Sequence, residues 1–324
     1  MKDLSRHAAL PPGYRLRAPS PDDAGAVAAL KRAVDVDRYG DSDVTVDDVL
    51  GEWALPRLST SDDLWLVEDQ GGSVVGYGLC WLEAPPSEVV ADQIVAPAHR
   101  GRGLSEVLLQ LGEQRATELL HTGSQDGSGH LGAWSHERDA RRLDLLASRG
   151  FARVRTFLRL ERDLDESLEL PVWPPGITFA RFRPGADDAA VHGAHLEAFA
   201  DDVAPEATDL EEWLRSRFAD ESPDLALWLI AWDGEELVGG IEATETPSGG
   251  YMGELFVRRP WRGRGIGRAL LLQECAELRR RGVPSAYFAV DAANPTGALR
   301  LFDSIGFASS RGATYFFEKR LGAG

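Results

Sequence analysis

Two glycine-rich basic turns in this sequence have residue types and spacing that could bind an anion. The clearer turn, Arg262-Gly263-Arg264-Gly265-Ile266-Gly267, follows an apolar run that ends at Val257 and precedes a run with helical spacing. Glycines allow the backbone to approach a ligand closely, consecutive N–H groups can point into the turn, and the helix start adds the positive end of its dipole. The pattern therefore predicts a cradle for a phosphorylated ligand.

Two familiar phosphate-binding loops do not fit this turn. A P-loop requires Gly-x4-Gly-Lys-Ser/Thr, and the turn has neither the lysine nor the hydroxyl at those positions. A dinucleotide-binding loop requires Gly-x-Gly-x-x-Gly, whereas the order here is Arg262-x-x-Gly265-x-Gly267. The turn must therefore belong to another class of phosphate site.

The order of these residues resembles the acyl-CoA signature of the GNAT superfamily of N-acetyltransferases, Arg/Gln-x-x-Gly-x-Gly/Ala. A downstream block, Asn294-Pro295-x-x-Ala298-Leu299-x-Leu301-Phe302-x-x-x-Gly306-Phe307, resembles the second motif of that superfamily. The resemblance implies acetyl-CoA as cosubstrate, no metal, and GNAT-like domains that each have a mixed, mostly antiparallel sheet flanked by helices.

Both motifs occur twice, which indicates a tandem duplication. Arg100-Gly101-Arg102-Gly103 aligns with Arg262-Gly263-Arg264-Gly265 at an offset of 162, and Gly150-Phe151 aligns with Gly306-Phe307 at an offset of 156. The extra residues of the first copy lie in the Gly- and Ser-rich stretch from His121 to Gly129. We predict an N-terminal domain over residues 1–163, a linker over 164–176 and a C-terminal domain over 177–324.

Alternating strand and helix patterns must position the two turns. In the second copy, strands are predicted over 177–183, 225–232, 236–245, 251–257, 286–290 and 314–319, and helices over 187–200, 209–218, 266–281 and 296–304. The first copy repeats this order between Tyr14 and Arg162. Such regular interleaving excludes an all-α or all-β fold and predicts the mixed α/β (α+β) class.

The resemblance also assigns roles to residues of the second copy. Backbone groups of Phe256 and Val257 would hold the pantetheine arm and the thioester carbonyl, and the N–H groups from Arg262 to Gly267 would bind the pyrophosphate. Asn294 would contact CoA or cap the helix that follows it.

Glu254 is the predicted general base, acting directly or through a water, because it lies on the strand that delivers the thioester. The first copy has Asp92 at the corresponding position. The alternative is that strand alternation turns Glu254 towards solvent or onto a structural arginine. Glu242 and Glu245 on the preceding strand are secondary candidates.

One departure from the superfamily pattern concerns the general acid. The superfamily often has a tyrosine where this chain has Phe302, and phenylalanine cannot protonate the departing thiolate. Tyr315, another hydroxyl or water would then supply the proton, unless the step needs no strong acid.

The first copy is expected to be degenerate. Arg138 and Leu146 stand where the second copy has Asn294 and Phe302, and Ser105 replaces the last glycine of the turn. We therefore predict that the C-terminal half is the active one. The cofactor-binding candidates of the first copy are Val95, Arg100, Gly101, Arg102, Gly103 and Ser105.

Composition limits the partners and the compartment. The formal charge of -17 disfavours binding to nucleic acid or anionic membranes. Cys80 and Cys275 are expected to be small core residues, and His192 and His195 lack a carboxylate at ligand spacing, so no metal site is predicted. The sequence has no long apolar run and no signal-peptide pattern, so the cytoplasm and a monomer or homodimer are expected.

The leading prediction for function is an acetyl-CoA-dependent N-acetyltransferase. It would transfer the acetyl group to the primary amine of a small molecule by direct attack in a ternary complex. A noncatalytic acyl-CoA-binding or sensing protein is the alternative from another class. The tandem arrangement and the Gly150-Phe151-x-x-x-Arg155 ending also resemble mycothiol synthase, which acetylates a cysteinyl-glucosaminyl-inositol, although the segment from Ala198 to Val203 lacks the His-Pro-Glu-Gln sequence of that enzyme.

Overall fold

The computed structural model describes residues 10–55, 57–82, 88–123, 128–200, 209–218, 224–294 and 297–322. This part of the chain forms eight α-helices and twelve β-strands. The helices are α1 Ala24–Tyr39, α2 Val46–Trp53, α3 Leu104–Gly123, α4 Ala140–Ser148, α5 Asp188–Phe199, α6 Leu210–Arg217, α7 Ile266–Arg280 and α8 Ala298–Ile305. The strands are β1 Arg15–Arg17, β2 Leu64–Glu68, β3 Val74–Leu82, β4 Glu88–Val95, β5 Gly129–His136, β6 Ala152–Asp163, β7 Ile177–Arg181, β8 Trp228–Asp233, β9 Glu236–Thr246, β10 Gly249–Val257, β11 Ser285–Asp291 and β12 Ala308–Leu321.

The chain forms two compact units. Unit 1 consists of residues 1–157 and 311–324, and unit 2 consists of residues 158–310. The strand order is β1-β2-β3-β4-β5-β12-β6 in unit 1 and β6-β11-β10-β9-β8-β7 in unit 2, with the first half of β6 in unit 1 and its second half in unit 2. Each unit combines helices with a mixed, mostly antiparallel sheet, which confirms the predicted mixed α/β class.

The compact units differ from the predicted domains at two places. The last strand pairs antiparallel with β5 from Thr314↔His136 to Leu321↔Gly129, so residues 311–324 belong to unit 1. The predicted linker contributes Leu164 and Leu168 to the core of unit 2, where the Leu164 N–H donates to the Pro284 carbonyl at 2.8 Å. Repeat boundaries follow sequence similarity, whereas compact units follow strand pairing and burial.

Apolar side chains cover both faces of the sheet in unit 2. One core contains residues of α7 and α8 together with Met252 on β10. The other contains residues of α5 and α6 together with Phe256 on the same strand. Because neighbouring strand residues point to opposite faces, the register of β10 decides which core each of its side chains enters.

Two further sequence predictions can be compared with the structure. Cys80 and Cys275 are both buried and free, which confirms their expected place in the cores. Among the residues that the structure describes, no helix is both long enough and apolar enough to cross a membrane.

Glu274 on α7 is a fully buried carboxylate with a predictable effect on stability. Its Oε2 accepts from Arg181 Nη1 at 2.8 Å, while Oε1 has no hydrogen-bond partner among the described residues. Burial raises the pKa of Glu274 to about 7 from 4.5, so the folded state binds more protons than the unfolded state between those pH values. Stability contributed by this group is therefore present at low pH and is lost as the pH rises towards 7 and above.

We expect Glu274→Gln to raise the thermal midpoint at pH 8 and to raise it much less at pH 5. The ionised group is destabilising by at most roughly 3 kcal/mol, which corresponds to a gain of several degrees. Glu277→Gln on the same helix is a matched control, because hydrogen bonding to Arg280 holds the pKa of Glu277 well below its usual range and its removal should stabilise at neither pH. Equal midpoints for Glu274→Gln and the parent at both pH values would contradict the prediction.

Candidate functional site

The basic turn of unit 2, which is the predicted anion cradle, lies between β10 and α7. After β10 the chain makes a 3₁₀ turn, Arg259–Trp261, and α7 begins at Ile266. Gly263 and Gly265 adopt φ angles of 75° and 88°, which disfavour residues with a Cβ. The backbone N–H groups from Gly263 to Gly267 have no acceptor among the described residues, so they remain available to an anion.

The arginine side chains of this turn have mainly structural partners. Arg262 Nε donates to the Val257 carbonyl at 3.0 Å, and its Nη2 donates to the Ala198 carbonyl at 2.8 Å. The Arg264 guanidinium lies 6.0 Å from the ring centre of Trp261. The backbone of the turn, more than its side chains, is therefore the part that can bind pyrophosphate.

The parallel strands β10 and β11 diverge before they reach the cradle. Their pairs are Gly250↔Ala286 and Tyr251↔Tyr287, although both strands continue beyond them. The Arg258 N–H donates to the Val238 carbonyl of β9, so the Val257 N–H points the other way, towards the gap. An extended thioester arm in this gap could pair with β10, with Val257 supplying the donor.

A β-bulge in β10 determines where Glu254 points. The register with β9 shifts between Met252↔Ala243 and Leu255↔Ile241, so Gly253 and Glu254 together oppose one residue of β9. Met252 and Leu255 both pack on the α7 side, three positions apart, and Glu254 consequently shares the opposite face with Phe256. Without the extra residue, alternation from Met252 would direct the Glu254 carboxylate into the core beside α7.

Glu254 is the centre of a cluster of charged groups on this face. Its Oε2 accepts from His195 Nε2 of α5 at 2.7 Å, and its Oε1 accepts from Arg217 Nη2 of α6 at 2.7 Å. Arg217 Nη1 also donates to Glu242 Oε1 of β9 at 2.5 Å. His195 is 2% exposed, and Glu254 keeps 24% of its side chain accessible. The carboxylate is therefore held by two partners and still open on one side.

These partners keep Glu254 ionised. Burial by itself raises the pKa of the Glu254 carboxyl, but the hydrogen bond from His195 and the positive charge of Arg217 outweigh burial and hold that pKa well below its usual range. Burial raises the pKa of the nearby Tyr251 phenol, and Tyr287, Glu242 and Glu254 add to this effect.

A narrow cavity adjoins the cluster. Its volume is about 30 Å³, enough for about two water molecules. Its walls include the aromatic residues Phe182, Trp213, Trp228 and Phe256. The cavity therefore admits a group of a few atoms, such as the ammonium group of a larger molecule.

Sequence reasoning identified Glu254 but missed its partners. His195 and Arg217 lie 59 and 37 positions from Glu254 along the chain, and no spacing pattern connects them. His195 is a packed residue, as expected, but it also bonds a carboxylate from another element. The structure shows the contact that the alternative interpretation of Glu254 expected, since Arg217 donates to the carboxylate, and the role of Glu254 as general base stays a prediction.

Three other predicted residues occupy different surroundings. Tyr315 lies in unit 1, where it pairs with Ser135 and packs against the Arg153 guanidinium, so the arrangement within unit 2 gives no support to its role as proton donor. Phe302 is buried and stacks on Phe288 with ring centres 4.3 Å apart. Asn294 lies in the turn after β11, and the N-cap residue of α8 is Gly297 and not Asn294; the contact of Asn294 with CoA stays a prediction.

The turn of unit 1 has the same backbone plan. Gly101 and Gly103 have φ angles of 72° and 86°, and the N–H groups from Gly101 to Ser105 have no acceptor among the described residues. A cavity of about 460 Å³ adjoins this turn and is lined by Val95, Arg100, Gly101 and Ser105, among others. Arg102 instead donates to the Tyr14 hydroxyl at 3.0 Å. Asp92, which corresponds to Glu254 of the second copy, lies on β4. The register of β4 with β3 is regular, unlike that of β10 with β9, and the Asp92 carboxylate pairs with Arg142.

Comparison with known proteins identifies the family of this chain independently of the site geometry. The sequence profile of the acetyltransferase (GNAT) family matches residues 29–125 and 191–307. The mycothiol acetyltransferase of Thermobispora bispora is 33% identical over 261 residues, covering 78% of this chain and 83% of the relative, and that of Thermomonospora curvata is 34% identical over 265 residues, covering 80% and 83%.

Solved structures agree with the sequence comparison. A GCN5-related N-acetyltransferase from Sphaerobacter thermophilus has a TM-score of 0.83 at 31% identity, with 98% of both chains covered. A tandem GNAT protein from the clavulanic acid biosynthesis pathway has a TM-score of 0.70 at 20% identity, with coverage of 96% and 99%, and shows the fold alone. The two profile matches and the relatives, which are matched over about four-fifths of their length, agree: this chain is a tandem member of the acetyltransferase (GNAT) family and an acyltransferase.

Proposed function

We propose that unit 2 transfers the acetyl group of acetyl-CoA to the primary amine of a small molecule, by direct attack in a ternary complex. The observation that carries the proposal is the position of Glu254 on the one strand that also ends in the anion cradle. The face of β10 with Glu254 and Phe256 then receives the amine, and the gap beside β11 receives the thioester.

Each part of unit 2 has a role in this proposal. The N–H groups from Gly263 to Gly267 bind the pyrophosphate, and the gap between β10 and β11 holds the pantetheine arm. The Val257 N–H donates to the arm or to its thioester carbonyl, where negative charge develops during attack. This placement brings the reacting carbon to β10, next to the cavity at Glu254.

The acceptor amine must lose protons during the reaction. Glu254 and His195 act as a hydrogen-bonded pair that takes up a proton, directly or through a water, with His195 holding the carboxylate in place. A carboxylate of low pKa is a weak base when alone, which is why the imidazole partner is part of the proposal. Arg217 fixes the second carboxylate oxygen and links it to Glu242. Water protonates the CoA thiolate, which is a good leaving group and needs no side chain as a strong acid.

A mycothiol-synthase-like acceptor is the second candidate. The relatives from Thermobispora bispora and Thermomonospora curvata are mycothiol acetyltransferases, which favours a cysteinyl amine attached to an amino sugar. The acceptor-side segment 201–208, where that comparison would be sharpest, lies outside the described residues.

The test is steady release of CoA from acetyl-CoA with a panel of amines. The panel should contain amino sugars, amino-acid amides and cysteinyl-glucosaminyl-inositol, with the products separated by chromatography because the last compound carries its own thiol. Turnover with any amine above the rate of hydrolysis supports the enzyme. Acetyl-CoA binding without turnover across the panel would favour the noncatalytic alternative.

The two cradles should contribute unequally to turnover. We expect Gly103→Asp in unit 1 to reduce turnover much less than Gly265→Asp in unit 2, because the amine-side cluster lies in unit 2. Both substitutions replace a glycine at positive φ, so they introduce similar backbone strain. Equal losses in CoA-release assays would show that the active half is assigned wrongly or that both halves are active.

A further inference from the structure

The sheet face that carries Glu254 continues from β10 onto β11 and β6 within unit 2. On each of these strands a residue packs in the core beside α7: Met252 on β10, Phe288 on β11 and Leu160 on β6. Because neighbouring strand residues point to opposite faces, Tyr251, Tyr287 and Arg159 lie on the other face, together with Glu254. These four side chains define the acceptor face of unit 2.

Three side chains of the acceptor face form a stacked row. The Arg159 guanidinium lies over the Tyr287 ring, 3.4 Å from the ring centre, and the ring centres of Tyr287 and Tyr251 are 5.4 Å apart. The Tyr287 hydroxyl lies 3.1 Å from Oγ1 of Thr246, which fixes the middle ring of the row. The row therefore holds the guanidinium in place on the strand next to β11.

Most of the hydrogen-bonding capacity of Arg159 is unused among the described residues. Its Nε donates to Glu161 Oε2 at the long distance of 3.4 Å, while Glu161 Oε1 accepts from Ser285 Oγ at 2.9 Å. Neither Nη1 nor Nη2 of Arg159 has a hydrogen-bond partner in the part of the chain that the structure describes, and Nη2 is buried. A buried donor without an acceptor is costly, and a guanidinium binds a carboxylate best through two parallel bonds. The outer edge of Arg159 is therefore suited to a carboxylate.

Part of the acceptor face is open to solvent. Thr244 of β9, which pairs with Tyr251, is exposed, and so is Ala289 of β11, whose two neighbours on the strand pack in the core beside α7. The side chain of Arg159 is 18% accessible and that of Glu254 is 24% accessible. A molecule that lies along this face can therefore contact both charged groups.

The positions of the two charged groups set the length of such a molecule. Two strand spacings, about 10 Å, separate β10 from β6. Tyr251 is level with Tyr287, and Glu254 lies three residues further along β10, which adds to the separation. An extended peptide advances by about 3.5 Å per residue. A chain of two or three residues, with a hydrogen bond at each end, is the length that fits.

We propose that the acceptor of unit 2 is an amine that carries a carboxylate at the distance found in a short peptide, and that Arg159 binds this carboxylate. The proposal rests on acetyl transfer by unit 2 and adds the second charged group of its substrate. Glu254 receives the amine end, and the row of tyrosine rings contacts the chain between the two ends. Cysteinyl-glucosaminyl-inositol has no carboxylate and would leave Arg159 unused.

The experiment compares peptides with their C-terminal amides, using the full chain. The acceptors are glycine, glycylglycine and triglycine, each as the free acid and as the amide. CoA release gives kcat/KM, and calorimetric titration in the presence of CoA gives affinity without requiring turnover. For the dipeptide or the tripeptide, the acid should be preferred by at least about tenfold in both measurements, whereas glycine is too short to show this preference.

Three variants assign the preference to Arg159. Arg159→Gln should bring the ratio of acid to amide close to one while the values for the amides change little. Arg279→Gln removes the same charge from α7, where Arg279 Nη1 donates to the Asp165 carbonyl, and should leave the ratio unchanged. Glu161→Gln removes the carboxylate that competes for Arg159 and should raise the ratio, which a purely structural role of Arg159 would not produce.

The outcomes separate this proposal from acetyl transfer itself. Turnover with equal kcat/KM for acids and amides of every length would overturn the proposal and leave acetyl transfer intact. An unchanged ratio in Arg159→Gln would also overturn it. If no acceptor is turned over, acid-selective binding that depends on Arg159 would support the carboxylate site and count against acetyl transfer, and its absence would overturn the site. If the thermal midpoint of Arg159→Gln collapses, Glu161→Gln decides, because an unchanged ratio in that variant contradicts the proposal.

Discussion

Gly265→Asp should weaken acetyl-CoA binding to unit 2 by about 10²-fold or more, because a carboxylate would enter the path of the pyrophosphate. Two like charges about 5 Å apart near a protein surface repel by roughly 3 kcal/mol. Gly265 is the N-cap of α7, with φ of 88°, and among the described residues only the Pro174 ring lies within 4 Å of a Cβ at this position. The added side chain therefore has room, and its charge is the main disturbance.

Gly265→Asn separates charge from shape. Asparagine and aspartate tolerate positive φ to a similar degree, so both variants carry similar backbone strain. We expect the asparagine variant to retain much more affinity in a titration with acetyl-CoA. The parent should also show a ligand-dependent rise in thermal midpoint, since a ligand selective for the native state stabilises it. Parental affinity in Gly265→Asp, in a chain whose unit 1 cradle is blocked by Gly103→Asp, would show that the cradle is misplaced.

Glu254→Gln should lower turnover by about 10²- to 10⁴-fold at neutral pH while acetyl-CoA affinity stays nearly constant. Glutamine keeps the size of the side chain and one acceptor oxygen for Arg217 or His195, but it removes the charge that pairs with His195. The deficit should shrink at higher pH, as the amine substrate loses its proton to solvent. The measurement is a pH profile of kcat and KM for both enzymes.

The low pKa of Glu254 gives this profile a further constraint. Because His195 and Arg217 keep the carboxylate ionised, the acidic limb of the parental profile should not follow a carboxyl group titrating near its usual pKa. Stability contributed by Glu254 is present above its unfolded pKa and is lost only as the pH falls through its lowered folded pKa. Loss of activity between neutral and mildly acidic pH then reports the amine or another group.

Glu242→Gln is the matched control for Glu254→Gln. Glu242, on the neighbouring strand β9, accepts from Nη1 of the same Arg217. If Glu254 handles the proton, the Glu242 variant should lose far less turnover. Similar losses would mean that both carboxylates act by positioning Arg217, and parental turnover of Glu254→Gln across the pH range would eliminate its catalytic role.

The sequence by itself determined the family and predicted the location of both cradles. The Arg-x-x-Gly-x-Gly spacing can be read locally, because close backbone approach and positive φ require glycine at particular positions, and Gly263 and Gly265 do adopt positive φ. The duplication and the mixed α/β class are likewise properties of order and period along the chain. These features depend on neighbours in sequence, so sequence is sufficient to predict them.

Tertiary structure decided the surroundings of each candidate. The bulge at Gly253 and Glu254 arises from the pairing of β10 with β9. It places the Glu254 carboxylate on the face opposite to the one that strict alternation from Met252 would give. His195 and Arg217 come from α5 and α6, and Arg142 pairs with Asp92 of β4, which lies 50 positions away. Such contacts join residues tens of positions apart, and only folding selects them. The glycine spacing therefore predicts where a phosphate would bind, whereas the packing of the sheet decided which side chains hold the Glu254 carboxylate.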